Sequence, residues 1–216
     1  MFFSGNEVII RSTASGTQAS INPQGTRSID YVDVKDNNNI NAAAINPAHY
    51  IDSGNTTNWF PAIAKIVFTT PSRTTVAGNV SQIMTIQTQD ANGNPRTVNA
   101  NTTIVLTSNS TGSYTFYSDA GGTTPISSVT LTAGTNSGSF YYKDTKAGTP
   151  TITAAENPSQ GWTDATQLET ITPAAASVLG ISTQPSGATA GSAFSTQPVI
   201  QTYDIYGNLS TVGLGA

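Results

Sequence analysis

The sequence has no cysteine, a single histidine, and only 8 lysines and arginines together in 216 residues. Without cysteine there can be neither disulfides nor thiolate metal sites, so any stable domain must rest on its apolar cores. The one histidine, His49 in "NPAHYID", cannot build a ligand cluster and has no nucleophile signature beside it; G-x-S-x-G and H-E-x-x-H are both absent. So few cations, with no basic run, leave no positive face for a phosphate backbone, and nucleic acid is not expected as a partner. No apolar run reaches the roughly 18 residues of a membrane span, so no membrane insertion is expected in this segment. "MFFSGNEVII" lacks a basic n-region and a small-residue cleavage site. It reads as a segment from the middle of a longer protein rather than as a signal peptide.

Charged residues are scarce too, at 9% with a net charge of −4, against a usual share of roughly 25%. A Thr/Ser/Asn-rich chain of this kind suits an extracellular β-protein better than a cytosolic enzyme. Apolar residues alternate rather than vanish, which argues against disorder. No long stretch of period 3.6 competes, so the expected fold class is all-β.

What the chain does have is a line written twice. "IQTQDANGNPRTV" runs from Ile86 to Val98 and "IQTYDIYGNLSTV" from Ile200 to Val212. Asp90 and Asp204 lie 114 positions apart, and at that offset Thr69, Pro71, Gln87, Thr88, Gly93 and Asn94 meet Thr183, Pro185, Gln201, Thr202, Gly207 and Asn208. The register slips by one where "VAGN" meets "TAGS". A module of that length is the size of a sandwich domain and far longer than a solenoid repeat. Three parts are therefore expected: a coil region over 1–60, a complete β-sandwich over 61–174, and the opening strands of a second copy over 175–216. Pro61 marks the first boundary and Pro173 with "AAAS" the second.

In the first part, "YVDVKD" places Val32 and Val34 on one face and Asp33 and Lys35 on the other, as a strand buried on one side requires. "DNNNINAAAINP" follows; small residues with Asn at corners suit a stacked parallel β-coil whose amides pair between layers, the alternative being a plain polar loop. The frame "VDVKD…IDSGNTTNW" is similar to the stretch that closes right-handed parallel β-helices in large bacterial surface proteins, just before Ig-like repeats. In the sandwich part, strands are expected at "AKIVFTT", "QIMTIQTQ", "TTIVLTS", "YTFYS", "SSVTLTA", "GSFYYKD", "TPTITAA" and "QLETITP", separated by turn clusters. "KIVFTTPSRTTVAG…IQTQDANGNP" and "GSFYYKDTKAGTPTITA" resemble the bacterial Ig-like repeats of invasin-type adhesins. That resemblance implies a rigid spacer with adhesive activity lodged elsewhere, and the β-helix-like frame implies no catalytic residues.

Candidate sites are few. Asp90, Asn92 and Asn94 alternate like the start of a calcium loop, but Gly93 stands fourth and Asn101 twelfth where the EF-hand pattern wants Gly sixth and Glu twelfth. The second copy replaces Asn92 with Tyr206 while keeping Asp204, Gly207 and Asn208. The preferred reading of Asp90, Gly93 and Asn94 is thus a turn, with Asn92 and Gly93 as a hairpin dipeptide whose two central residues both take positive φ and Asp90 capping backbone N–H groups. Calcium is the alternative. Asp30, Asp33 and Asp36 are read as solvated carboxylates, since Asp33 has the opposite strand parity to the other two and no base stands by. Phe140 and Tyr142 are expected in the core with Tyr141 outside. Trp59, Tyr141 and Trp162 are candidates for stacking on sugar rings, the alternative being that tryptophans at module ends fill junctions, and Lys65 and Lys143 are candidates for an isopeptide bond. No cofactor and no metal are expected.

Together these readings describe a non-enzymatic stalk or filament segment of a bacterial cell-surface or secreted protein, supporting adhesion or assembly through self-association or neighbouring repeats. The alternative is a carbohydrate-binding accessory module of a secreted polysaccharide-acting enzyme, with glycans as partners.

Overall fold

A computed structural model describes residues 8–47 and 49–214; the opening "MFFSGNE" and the last two residues of the expected second copy lie outside the described residues. Six short strands come first: β1 (Val8–Arg11), β2 (Ala19–Ile21), β3 (Val32–Lys35), β4 (Asn37–Asn39), β5 (Tyr50–Asp52) and β6 (Thr56–Thr57). They stack as β1-β3-β5 and β2-β4-β6, every pair parallel. Val8 lies on Val32 and Val32 on Tyr50; Ala19 lies on Asn37 and Asn37 on Thr56. Parallel neighbours this close in sequence require the chain to wind round and return one layer on. The segment is therefore a parallel coil and not a polar loop.

The coil's interior follows from strand alternation. Val32 and Val34 point inward and join Trp59 and Phe60 in a small core. Its corners need left-handed backbone, which the short polar side chains of Asn and Asp tolerate best. Asp36 (φ 51) and Asn55 (φ 52) hold equivalent corners in successive layers, and Asn55 Nδ2 donates to Asp36 Oδ1 at 2.7 Å. Asn39 Nδ2 donates to the Asn58 carbonyl at 2.9 Å. The expected pairing of amides between layers takes this form, amide to carboxylate and amide to backbone.

Eleven strands build the sandwich: β7 (Lys65–Phe68), β8 (Thr74–Val76), β9 (Met84–Gln89), β10 (Thr102–Ser108), β11 (Tyr114–Tyr117), β12 (Pro125–Ile126), β13 (Ser128–Leu131), β14 (Ser137–Asp144), β15 (Thr151–Asn157), β16 (Ala165–Leu168) and β17 (Thr170–Thr172). One sheet runs β13-β10-β15-β16 and the other β12-β11-β14-β9-β7, while β8 and β17 form a short parallel pair. Alternate residues of both sheets meet in one core, among them Ile86, Ile104, Phe116, Phe140, Tyr142 and Ile152. This is an all-β, Ig-like sandwich following parallel coils. A last antiparallel pair, β18 (Val178–Thr183) and β19 (Val199–Tyr203), opens the second copy.

Phe140 and Tyr142 are buried and Tyr141 is half-exposed, as their alternation predicts. "QLETITP" differs from expectation, because it is two strands and not one. β16 pairs antiparallel with β15, but β17 leaves that sheet to pair parallel with β8. Glu169 sits at the switch, 1% exposed. Its N–H donates to the Pro150 carbonyl at 2.9 Å and its Oε2 accepts from the Arg73 N–H at 2.5 Å. Burial outweighs that bond and pushes the Glu169 carboxyl up from its ordinary value.

Candidate functional site

The repeated line folds twice into the same turn. β9 delivers Asp90, which is fully buried. Its Oδ1 accepts from the N–H groups of Asn92 and Asn94, both at 2.9 Å, and its Oδ2 from Asn94 Nδ2 at 3.1 Å. β19 delivers Asp204, whose Oδ1 accepts from Tyr206 and Asn208 N–H at 2.9 Å and whose Oδ2 accepts from Asn208 Nδ2 at 2.9 Å. Gly93 and Gly207 hold φ of 90 and 81, a conformation glycine adopts without steric cost. Both carboxylates are thus directed at the turn's own donors. Asn94 presents an N–H, rather than an oxygen, to Asp90, and Asn92 contributes its backbone N–H. Among the described residues no cluster of three or more His, Cys, Asp or Glu could hold a metal ion.

Each turn also touches the domain before it. At the coil–sandwich junction, the Tyr50 hydroxyl donates to Asp90 Oδ2 at 3.5 Å. Arg96, two residues past Asn94, pairs with Asp52 at 3.3 Å and lies over the rings of Tyr50 and Phe60, at 5.5 and 5.1 Å from their centroids. These two rings stack on each other at 4.5 Å. Burial of Tyr50 raises its hydroxyl pKa.

At the second junction the contacts are denser. Asn208 Oδ1 accepts from Ala147 N–H at 2.9 Å, and its Nδ2 donates to the Thr145 carbonyl at 2.8 Å. The linker residue Ala174 is held by both backbone groups: its N–H donates to Asp204 Oδ2 at 2.9 Å, and its carbonyl accepts from Ser210 Oγ at 2.5 Å. Ser210 is the counterpart of Arg96 at the 114-residue offset. The Tyr206 hydroxyl lies against Gly78, where a Cβ would collide with it. Burial works against ionisation of Asp204, but hydrogen bonds from Asn208, Ala174 and Tyr206 outweigh it and lower the pKa.

The remaining candidates are scattered. Trp59 is 1% exposed inside the coil core, its Nε1 donating to Asn37 Oδ1 at 2.8 Å, so it is not available to stack on a sugar. Trp162 packs against the sandwich core from the β15–β16 loop, and Tyr141 lies on β14; among the described residues no ring contact joins the three. Asp30 pairs with His49, Asp33 with Arg11 and Ser53, and Asp36 with Asn55, so the three carboxylates have separate partners. Among the described residues neither Lys65 nor Lys143 forms an ion pair. Sequence reasoning missed Arg96, Tyr206 and Ser210, because none of them is repeated. Their positions inside or just beyond a repeated turn were the signal available.

No family model matches the chain, and no curated protein matches it. Among solved structures, domains 4-9 of the surface layer protein SbsC match at 16% identity and a TM-score of 0.37, over 72% of this chain and 22% of that one. InvD of Yersinia pseudotuberculosis matches at 17% identity and a TM-score of 0.36, over 68% of this chain and 42% of that one. A beta-glycosidase from Bacteroides vulgatus matches at 11% identity and a TM-score of 0.37, over 52% of this chain and 15% of that one. The match spans less than half of each of these three chains. At these TM-scores the likenesses carry no functional argument.

Proposed function

We propose that this chain is a non-enzymatic stalk segment of a bacterial cell-surface or secreted protein, supporting adhesion or extracellular assembly by holding successive domains end to end. The observation that carries this reading is the repeated turn: twice the same Asp-x-x-Gly-Asn unit forms, and twice it seats on the preceding domain. A spacer needs junctions of this kind, because domains joined by a bare linker move independently by default. Neighbouring repeats of the same protein are its partners, and the cell surface or extracellular space is its location. Among the described residues no helix is long and apolar enough to cross a membrane.

Small-angle scattering on the full chain tests the proposal. The wild type should scatter as one elongated body of fixed length, and Arg96→Ala or Asn208→Ala should add flexibility at one junction each. Wild-type scattering as flexible as that of the variants would remove the proposal's basis. Selective binding on a glycan array would favour the carbohydrate-binding alternative.

A further inference from the structure

The two turns share Asp, Gly and Asn but differ at two positions that face the preceding domain. Counting the aspartate as the first residue, the third is Asn92 in one copy and Tyr206 in the other, and the seventh is Arg96 and Ser210. The turn itself is indifferent to the first of these changes. Asn92 and Tyr206 each give a backbone N–H to the aspartate Oδ1, both at 2.9 Å, so their side chains are left to meet whatever comes before the repeat.

What comes before differs. At the coil end Asn92 is exposed, and the contact is made by Arg96 on the carboxylate of Asp52 and the stacked rings of Tyr50 and Phe60. At the sandwich end the seventh residue is small and buried, Ser210 being 3% exposed, and its Oγ donates to the Ala174 carbonyl. There the third residue reaches across instead: the ring and hydroxyl of Tyr206 occupy the space that a Cβ on Gly78 would need.

Gly78 is bare for a reason of its own. It turns the chain after β8 at φ 84, where an L side chain is strained, and its N–H donates to the Asp144 carbonyl at 2.8 Å. The second copy has glycine at its matching turn, Gly191 with φ 80, in "TAGS" as Gly78 is in "VAGN". The opening beside the glycine therefore comes with the module's own turn. Thr145 and Ala147, the partners of Asn208, lie at the same end of the sandwich. Close approach of a ring to backbone is what glycine permits and a residue with a Cβ denies.

We propose that the third residue of the turn selects which domain a repeat can follow. Tyrosine there, as at Tyr206, fits the repeat to the end of a β-sandwich that presents a bare glycine. Asparagine there, as at Asn92, gives no such fit, and the repeat is held by arginine at the seventh position against a coil end carrying a carboxylate and aromatic rings. Domain order along the stalk is then written in the two variable residues of each turn, while the three shared ones build it.

This inference rests on the stalk reading, and the amide of Ala147 separates the two, because its hydrogen bond crosses the junction to Asn208. Hydrogen exchange is followed by NMR on the full chain, where Ala147 of the wild type should be protected. Tyr206→Asn installs the first copy's residue, with which the turn forms at Asp90, and should speed exchange at Ala147 about fivefold or more while the amides of β10 and β15 are unchanged. Gly78→Ala should speed it likewise in the wild type but little further in the Tyr206→Asn background. There the collision is gone, and only the strain at φ 84 remains, which is internal to the sandwich and common to both backgrounds. Equal acceleration by Gly78→Ala in both backgrounds, or an unchanged Ala147 in Tyr206→Asn, overturns the proposal and leaves the stalk reading standing. An Ala147 amide already unprotected in the wild type overturns both.

Discussion

Replacing Asp204 with alanine removes the acceptor of four hydrogen bonds at once: from Tyr206 N–H, Asn208 N–H, Asn208 Nδ2 and Ala174 N–H, all at 2.9 Å. Hydrogen bonds to a charged group contribute ~1.5–3 kcal/mol each. They act as a unit here and so do not simply add. Water can also reach some of the abandoned donors, and a local loss of about 3–5 kcal/mol is expected. The loss should stay local, because none of the buried residues around Phe140 belongs to this turn. Hydrogen exchange on the full chain separates the two regions. Protection across Val178–Thr183 and Val199–Tyr203 should fall by that amount, while β9 and β14 keep theirs to within about 0.5 kcal/mol, the usual scatter for sites away from a substitution. The pH dependence has a definite sign. The folded-state pKa of Asp204 is lowered, so its stabilisation is present above the ordinary aspartate value near ~3.9 and is lost as pH falls through the folded value. Wild-type hairpin protection should decline in that acidic window relative to the variant. Unchanged hairpin protection in Asp204→Ala, or an equal loss in the sandwich core, would refute the assignment of this carboxylate as the organiser of the junction.

Gly93→Ala should destabilise the sandwich by ~1 kcal/mol or more through forced positive φ, and added calcium should leave the melting temperature of the wild type unchanged; a rise of several degrees would reinstate the metal reading. Phe140→Ala should cost ~3–5 kcal/mol in denaturant unfolding, whereas Tyr141→Ala should cost ~1 kcal/mol or less; equal costs would contradict the observed alternation. Glu169 titrates in the opposite sense to Asp204. Its folded pKa is raised, so its contribution is fully present below the ordinary glutamate value and lost as pH rises through the folded one. Subtracting the stability–pH curve of Glu169→Gln from that of the wild type should leave a difference that falls with rising pH, and a flat difference would show that the carboxyl does not titrate on folding.

The features legible in the sequence are those governed by local rules. A period of two placed Phe140 and Tyr142 inside, and "NG" marked a turn, because both depend on neighbours in the chain; the expected positive φ at both central residues is not met, since only Gly93 takes it and the turn centres on Ala91 and Asn92. The coil was legible through Val32 and Val34, but its left-handed corners at Asp36 and Asn55 were not assigned individually, since nothing in "KDNN" distinguishes a corner from a strand until the layers are stacked. Trp59 was legible as a ring that either fills a junction or stacks on sugars, and the bond that decides for the inside comes from Asn37, 22 residues away. Arg96 and Ser210 meet the preceding domain through contacts that no repeat or spacing encodes. Glu169 interrupts a run that reads as one strand, because its partner at Arg73 lies 96 positions earlier.

The engaged linker has a bearing on how proteases would meet the chain. Tandem proteins are ordinarily nicked between domains, where an exposed, mobile segment can enter a protease cleft in extended form. Here Ala174 has both of its backbone groups bonded into the next turn, the Ala176 N–H donates to the Val212 carbonyl at 2.9 Å, and the Ser177 N–H to the Tyr203 carbonyl at 2.8 Å. Cleavage near Ala174 must wait for the junction to open. While reclosing outpaces cutting, the rate of cleavage there reports the opening equilibrium, so in a chain without cysteine the linker is guarded by the hydrogen bonds of the turn that follows it.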